Sequence, residues 1–76
     1  MSNELRMYVV YDHPSDYPEF YVVRRHVAGR GGLRVDPTPM FVTDDLAKVR
    51  EGMKRLGLHC LKRHPSDDPV IIETWL

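Results

Sequence analysis

Apolar and polar residues alternate along 5–11 (LRMYVVY), which puts Leu5, Met7, Val9 and Tyr11 on one side and Arg6, Tyr8 and Val10 on the other. A period of two in β-branched and aromatic residues predicts a strand. Residues 19–27 (EFYVVRRHV) repeat the pattern and predict a second. Between them, 12–18 holds two prolines, a serine and two aspartates, the composition of a loop. Three glycines in 28–32 (AGRGG) predict a turn. Residues 36–39 (DPTP) form a stiff, extended arm, because each proline also restricts the residue before it. Met40, Phe41 and Val42 follow as a short third strand.

The period then changes. Leu46, Val49, Met53 and Leu56 recur at helical spacing, with Thr43 as the expected N-cap and Asp44 and Asp45 in the first turn. Lys54 and Arg55 suit the negative C-terminal end, and Gly57 is placed to end the helix. Gly52 inside it costs about 1 kcal/mol relative to alanine, so this helix depends on packing. Residues 58–62 (LHCLK) read as a fourth strand or an extended arm, and 70–75 (VIIETW) as the last strand.

The order β-β-(β)-α-β-β, with one helix of roughly 13 residues, predicts a single α+β domain over residues 1–76. The expected architecture is a two-layer sandwich: a mostly antiparallel sheet of four to five strands with the helix on one face. The richer apolar sets, Leu5, Met7 and Val9 with Val70 and Ile72, are expected under Leu46, Val49, Met53 and Leu56. That leaves Tyr8, Val10, Ile71 and Trp75, with Tyr21 or Phe20, on a face no second helix covers. An apolar patch beyond about 400 Å² marks an interface more often than a monomer surface. A twofold homodimer is the commonest way to cover one. Another protein is a further candidate partner, and a curled sheet covered by its own loops, including the 36–39 arm, is the competing arrangement.

HPSDYP at 13–18 returns as HPSDDP at 64–69. Histidine, serine and aspartate together suggest a triad, but a working triad needs a base in reach of the nucleophile and a third group orienting that base. A proline between His and Ser within one turn does not supply this, so no catalytic residue is assigned. His13, Asp16, His64 and Asp67, with His59 and Cys60 nearby, contain metal-ligand chemistry. The H-x-x-D spacing is nevertheless unlike the tight pairs of zinc sites, so no metal and no cofactor is assigned. Both copies precede a strand, and Pro, Ser and Asp are turn formers, so the echo is read as two similar turns.

Eleven basic residues balance eleven acidic ones, so net charge selects no class of partner. The charges are blocky, however. Residues 48–63 hold Lys48, Arg50, Lys54, Arg55, Lys62 and Arg63 against Glu51 alone, read as long side chains flanking a buried helical stripe. Arg24, Arg25, Arg30 and Arg34, beside the glycine-rich turn, form a basic tip suited to a phosphate backbone, with Tyr8 and Tyr21 as stacking surfaces if they share a face. Nucleic acid or another polyanion is therefore the alternative ligand.

Cys60 is the only cysteine, which excludes an internal disulfide and fits a reducing compartment, most simply the cytoplasm. His59 and Cys60 could be a reactive pair, although a small buried thiol is the commoner fate. No basic segment followed by an apolar one opens the chain, so no signal peptide is expected, and no apolar run approaches the roughly 18 residues of a membrane span. MYVVYDHPSDYPEFYVVRR near the start and DDPVIIETWL at the close resemble the two ends of short uncharacterised bacterial proteins. That resemblance implies a bacterial cytoplasmic protein, and no activity or functional residue with it.

Overall fold

In the computed structural model, which describes residues 4–63 and 68–76, the chain is an α+β fold with one helix on a sheet. The described strands are β1 (Leu5–Asp12), β2 (Tyr21–Gly29), β3 (Gly32–Val35), β4 (Phe41–Thr43), β5 (Cys60–Lys62) and β6 (Ile71–Trp75), with α1 (Leu46–Arg55) between β4 and β5. The sheet order is β3-β2-β1-β6-β5, every pairing antiparallel. β4 shares the outer edge of β2 with β3, pairing with Tyr21, Val22 and Val23 while β3 pairs with residues 26–29. β3 was not expected. The hairpin that makes it has only Arg30 and Gly31 between the Gly29–Gly32 pair, and Gly32 takes a φ of 103°, open to glycine but strained for other residues.

The helix begins later than the sequence suggests. Asp45, not Thr43, is the N-cap: its carboxylate accepts from the Ala47 N–H, while Thr43 Oγ1 accepts from the Asp45 N–H and shapes the turn before it. Asp44 therefore lies outside the helix. The C-terminus closes as expected, with Gly57 at a φ of 76°. Its N–H donates to Lys54 O, and the Leu58 N–H reaches back to Met53 O, so two otherwise orphaned carbonyls are satisfied. Leu58 then packs onto the core.

Val49 and Met53 of α1 meet Val10, Val23 and Trp75, with Tyr8, Tyr21, Leu46, Leu58 and Ile72 packed around them. The register explains this set. Val10 pairs with Val23 and with Glu73, and Tyr8 pairs with Arg25 and with Trp75, so all six lie on the same face of the sheet. The helix thus covers the face expected to be open, and Leu56, expected in the core, is exposed. The pairing of β1 with β6 shifts between Val10 and Tyr11, opposite Glu73 and Ile71. One extra residue on β6 carries Ile72 onto the helix side beside Glu73 and leaves Ile71 opposite Tyr11 on the other face. Strict alternation along 70–75 cannot anticipate that shift.

Candidate functional site

The face without a helix presents Leu5, Met7, Val9 and Tyr11 from β1, and Val22, Arg24, His26 and Ala28 from β2. Its two halves differ. In one, Arg24 donates to Pro37 O at 2.8 Å and is salt-bridged to Asp16, so one guanidinium ties both flanking loops to the sheet. Tyr11 Oη lies 2.8 Å from His26 Nε2, a reach that spans the Val9–Arg24 pair between them. Val9 and Val22 are buried there although no helix lies over them. Burial raises the Tyr11 hydroxyl above its ordinary pKa, and burial with the nearby Arg24 charge lowers that of His26. A neutral His26 accepting from the Tyr11 hydroxyl fits both directions.

The other half is bare. Leu5, Ala28 and Leu33 form one row across β1, β2 and β3, and Met7, His26 and Val35 form the next. Leu33 is 61% exposed, Leu5 50% and Val35 47%. Of the interface residues expected from sequence, only Ile71 faces this side. Val10 and Trp75 are buried beneath the helix and Tyr8 and Tyr21 are half-buried beside it, so those four are corrected from interface to core.

The four arginines do not form one tip. Arg24 and Arg25 are consecutive strand residues and point to opposite faces. Arg24 is engaged as described. Arg25 reaches Asp36 at 3.4 Å, with its Nε buried and unpaired among the described residues, and Arg34 bonds Glu4 at 3.1 Å. Arg30 stands on the hairpin turn. Arg6, not singled out by sequence, pairs with Val27 and so shares the helix-side face with Arg25 and Arg34. Together with Glu4, Val27, Val35, Asp36 and Pro37 these three line a shallow groove in which two carboxylates offset most of the charge.

The first echo loop is a turn, but not the one expected. Tyr17 N–H donates to Pro14 O and His13 N–H to Phe20 O, closing the link between β1 and β2. Asp16 bonds Arg24 rather than the backbone, and the His13 ring meets Asp12 and stands edge-on to Tyr21, 4.9 Å between centroids. His13 thus makes local contacts only, with its side chain still 43% exposed. In the second, Asp68 Oδ1 accepts from Val70 N–H as β6 begins, while His64 and Asp67 lie outside the described residues. Among the described residues no three His, Cys, Asp or Glu side chains converge as a metal site, and no helix is long and apolar enough to cross a membrane.

A second concavity lies between α1 and the β5 edge, lined by Arg50, Lys54, Cys60, Lys62, Arg63, Ile72, Glu73 and Trp75, with a volume of about 440 Å³. β5 pairs Cys60 with Trp75 and Lys62 with Glu73, which turns both β5 side chains toward the helix. Arg50 and Lys54 are one helical turn apart on the facing side. Glu73, only 4% exposed, accepts from Arg50 Nε at 3.2 Å, from Arg50 Nη2 at 2.9 Å and from Trp75 Nε1 at 2.6 Å. That carboxylate fixes the guanidinium by two bonds, and its Nη1 makes no hydrogen bond among the described residues. Cys60 is exposed, not the small buried thiol expected from sequence; partial desolvation and the Glu73 charge nevertheless push its thiol up, so it stays protonated at neutral pH and is a weak nucleophile. The basic block at 48–63 held the signal for this cleft, but only the return of β5 alongside β6 reveals which of its cations meet. No protein-family model, no curated protein and no solved structure matches the chain.

Proposed function

We propose that the protein is a small non-enzymatic interaction domain that self-associates through the bare half of its uncovered sheet face, with a second copy as the partner. One observation carries the reading: Leu5, Leu33 and Val35, three exposed aliphatic side chains, stand in adjacent rows of one sheet face spanning three strands. The choice of a second copy rests on charge and size. The chain has no net charge, so two copies meet without long-range repulsion. A domain of this length also gains from added burial, since its fold removes only about 60% of the surface of the unfolded chain from water.

Sedimentation equilibrium tests the proposal. The 8.9 kDa chain is expected to shift toward twice that mass as concentration rises through the micromolar range. Leu33→Glu is expected to hold it at the monomer mass with its melting temperature in dilute solution unchanged, because that side chain contributes little to the monomer's own core. A monomer at every concentration rules the interface out, as does a Leu33→Glu variant that associates as the unmodified chain does.

A further inference from the structure

We infer that the cleft between α1 and β5 binds the phosphate group of a small phosphorylated molecule, held by Arg50, Lys54 and Lys62, with its organic part against Ile72 and Cys60. Three features point to this chemistry. First, the charge is uneven: beside the Arg50–Glu73 pair the cleft is lined by Lys54 and Lys62, in a chain that is neutral overall. Neither Lys54 nor Lys62 makes an ion pair among the described residues. Two ammonium groups brought to one hollow without a carboxylate of their own among the described residues repel, and a bound dianion relieves that.

Second, the guanidinium is already set. Glu73 is buried and takes both Arg50 Nε and Nη2, and Trp75 Nε1 holds its other oxygen. The guanidinium therefore does not first have to be ordered to offer its remaining donors. A positioned guanidinium flanked by two mobile ammonium groups suits a phosphate: the planar donor supplies direction and the lysines supply charge. Glu73 acts here as a positioning residue that need not touch the ligand.

Third, the cleft is concave and has an apolar floor. Above the buried Trp75, the half-buried Ile72 and the exposed Cys60 give an organic group a surface to rest on, and a volume of about 440 Å³ accepts a compound of nucleotide size. A nucleic-acid strand needs its cations spread along a track. Here they converge around one hollow, while the arginines of the β2–β3 region are divided between two faces and largely engaged by Asp16, Asp36 and Glu4.

Trp75 is the only tryptophan; it is buried beneath the cleft with its Nε1 bonded to Glu73, so its emission senses a change at the Arg50–Glu73 pair. Pyrophosphate, adenosine monophosphate, adenosine and a short oligothymidylate are titrated in turn at low salt, about 50 mM. Pyrophosphate and the monophosphate are expected to change Trp75 emission and raise the melting temperature, and adenosine to do neither. Lys54→Ala with Lys62→Ala, both at exposed positions, is expected to weaken binding about tenfold or more without altering the free protein's melting temperature. Lys54→Arg with Lys62→Arg is expected to retain it, and Arg6→Ala with Arg34→Ala to leave it unchanged. The inference is overturned if neither phosphate compound is bound, if adenosine binds as well as its monophosphate, or if the Arg6 and Arg34 changes weaken binding as much as the lysine changes. Binding of the oligonucleotide alone would replace the small molecule with a single strand and overturn it equally.

Discussion

Val10 and Val22 are each fully buried, yet they lie on opposite faces of the same sheet and are buried by different means. Val10 lies under Val49 and Met53 of a capped helix. Val22 has no helix above it, and the face it occupies is drawn closed by side chains and loops: Tyr11 reaching to His26, and Arg24 gripping Asp16 and the Pro37 carbonyl. Helical cover comes as one rigid element with its backbone bonds satisfied internally. Loop cover depends on a few polar ties at the surface, and it stops where those ties stop. Beyond Arg24 the same face is bare, and there Leu5, Leu33 and Val35 are exposed.

Among the largest expected effects is one that tests the helix-covered side through Glu73, its buried charge among the described residues. Arg50→Met removes both guanidinium bonds to Glu73 and leaves a carboxylate uncompensated under the helix. Breaking a fully buried pair from one side costs about 3–5 kcal/mol; with the Arg50 side chain half exposed and Trp75 still donating to Glu73, the loss here is about 1–3 kcal/mol. Urea unfolding should show that loss, and Arg50→Met with Glu73→Gln should recover part of it. A cost below about 1 kcal/mol would mean that water reaches Glu73 and that this side is less sealed than its burial implies.

The sharpest comparison of the faces comes next. Val10→Ala should cost about 2–3 kcal/mol, the scale of large-to-small changes in a packed core. Val22→Ala should cost as much if loop cover is as firm as helical cover. Adding Asp16→Ala, which frees one loop from Arg24, should then reduce the Val22→Ala penalty without touching that of Val10→Ala. Equal penalties with and without the Asp16 change would show that the loop tie has no part in closing the face.

Much of this was legible in the chain. The alternation in 5–11 and 19–27, the helical spacing from Leu46 to Met53 and the Gly57 stop all reappear as elements. Which face the helix chose was not legible, because β1 carries apolar residues on both sides at its centre. Val9 and Val10 are both buried, and the richer side in composition was the one with Leu5 at its exposed end. Counting apolar residues favoured that side, whereas a helix of ten residues covers only the middle of the strands. β3 escaped because GLRV is short and adjoins a glycine-rich turn, so its partner across that turn makes it a strand. The cationic cleft escaped for a related reason: residues 50 and 54 meet 60 and 62 only through pairing of β5 with β6.

Gly57→Ala should have a smaller effect, confined to the helical side. A φ of 76° is left-handed, and a residue with a Cβ pays about 1–2 kcal/mol to hold it. Space is not the obstacle, since no atom lies within 4 Å of where that Cβ would stand. The loss should appear in the unfolding midpoint and leave self-association unaffected. Weakened dimerisation would link the helix end to the opposite face, against the independence of the two coverings.

The smallest expected effect belongs to the loop-covered face alone and depends on pH. Burial and the Arg24 charge lower the pKa of His26, so the fold favours its neutral form while the unfolded chain titrates near about 6.5. Between the lowered value and about 6.5 the unfolded state binds more protons, so stability rises with pH across that window. The contribution is complete above about 6.5 and is lost as pH falls through the folded value. Three groups surround this pair: Tyr11, which bonds His26, Arg24, which acts on both, and Asp68, whose charge reaches Tyr11. Because other carboxylates also respond to acid, the measurement is a difference: unfolding free energies of the unmodified chain and of His26→Gln, each from pH 7.5 down to 5. The unmodified chain should lose more on acidification, whereas changing Lys48, on the helical side, should leave its pH response unaltered. A gap between chain and variant that stays constant across the range would mean that His26 titrates as freely folded as unfolded, and that Tyr11 does not seal this face.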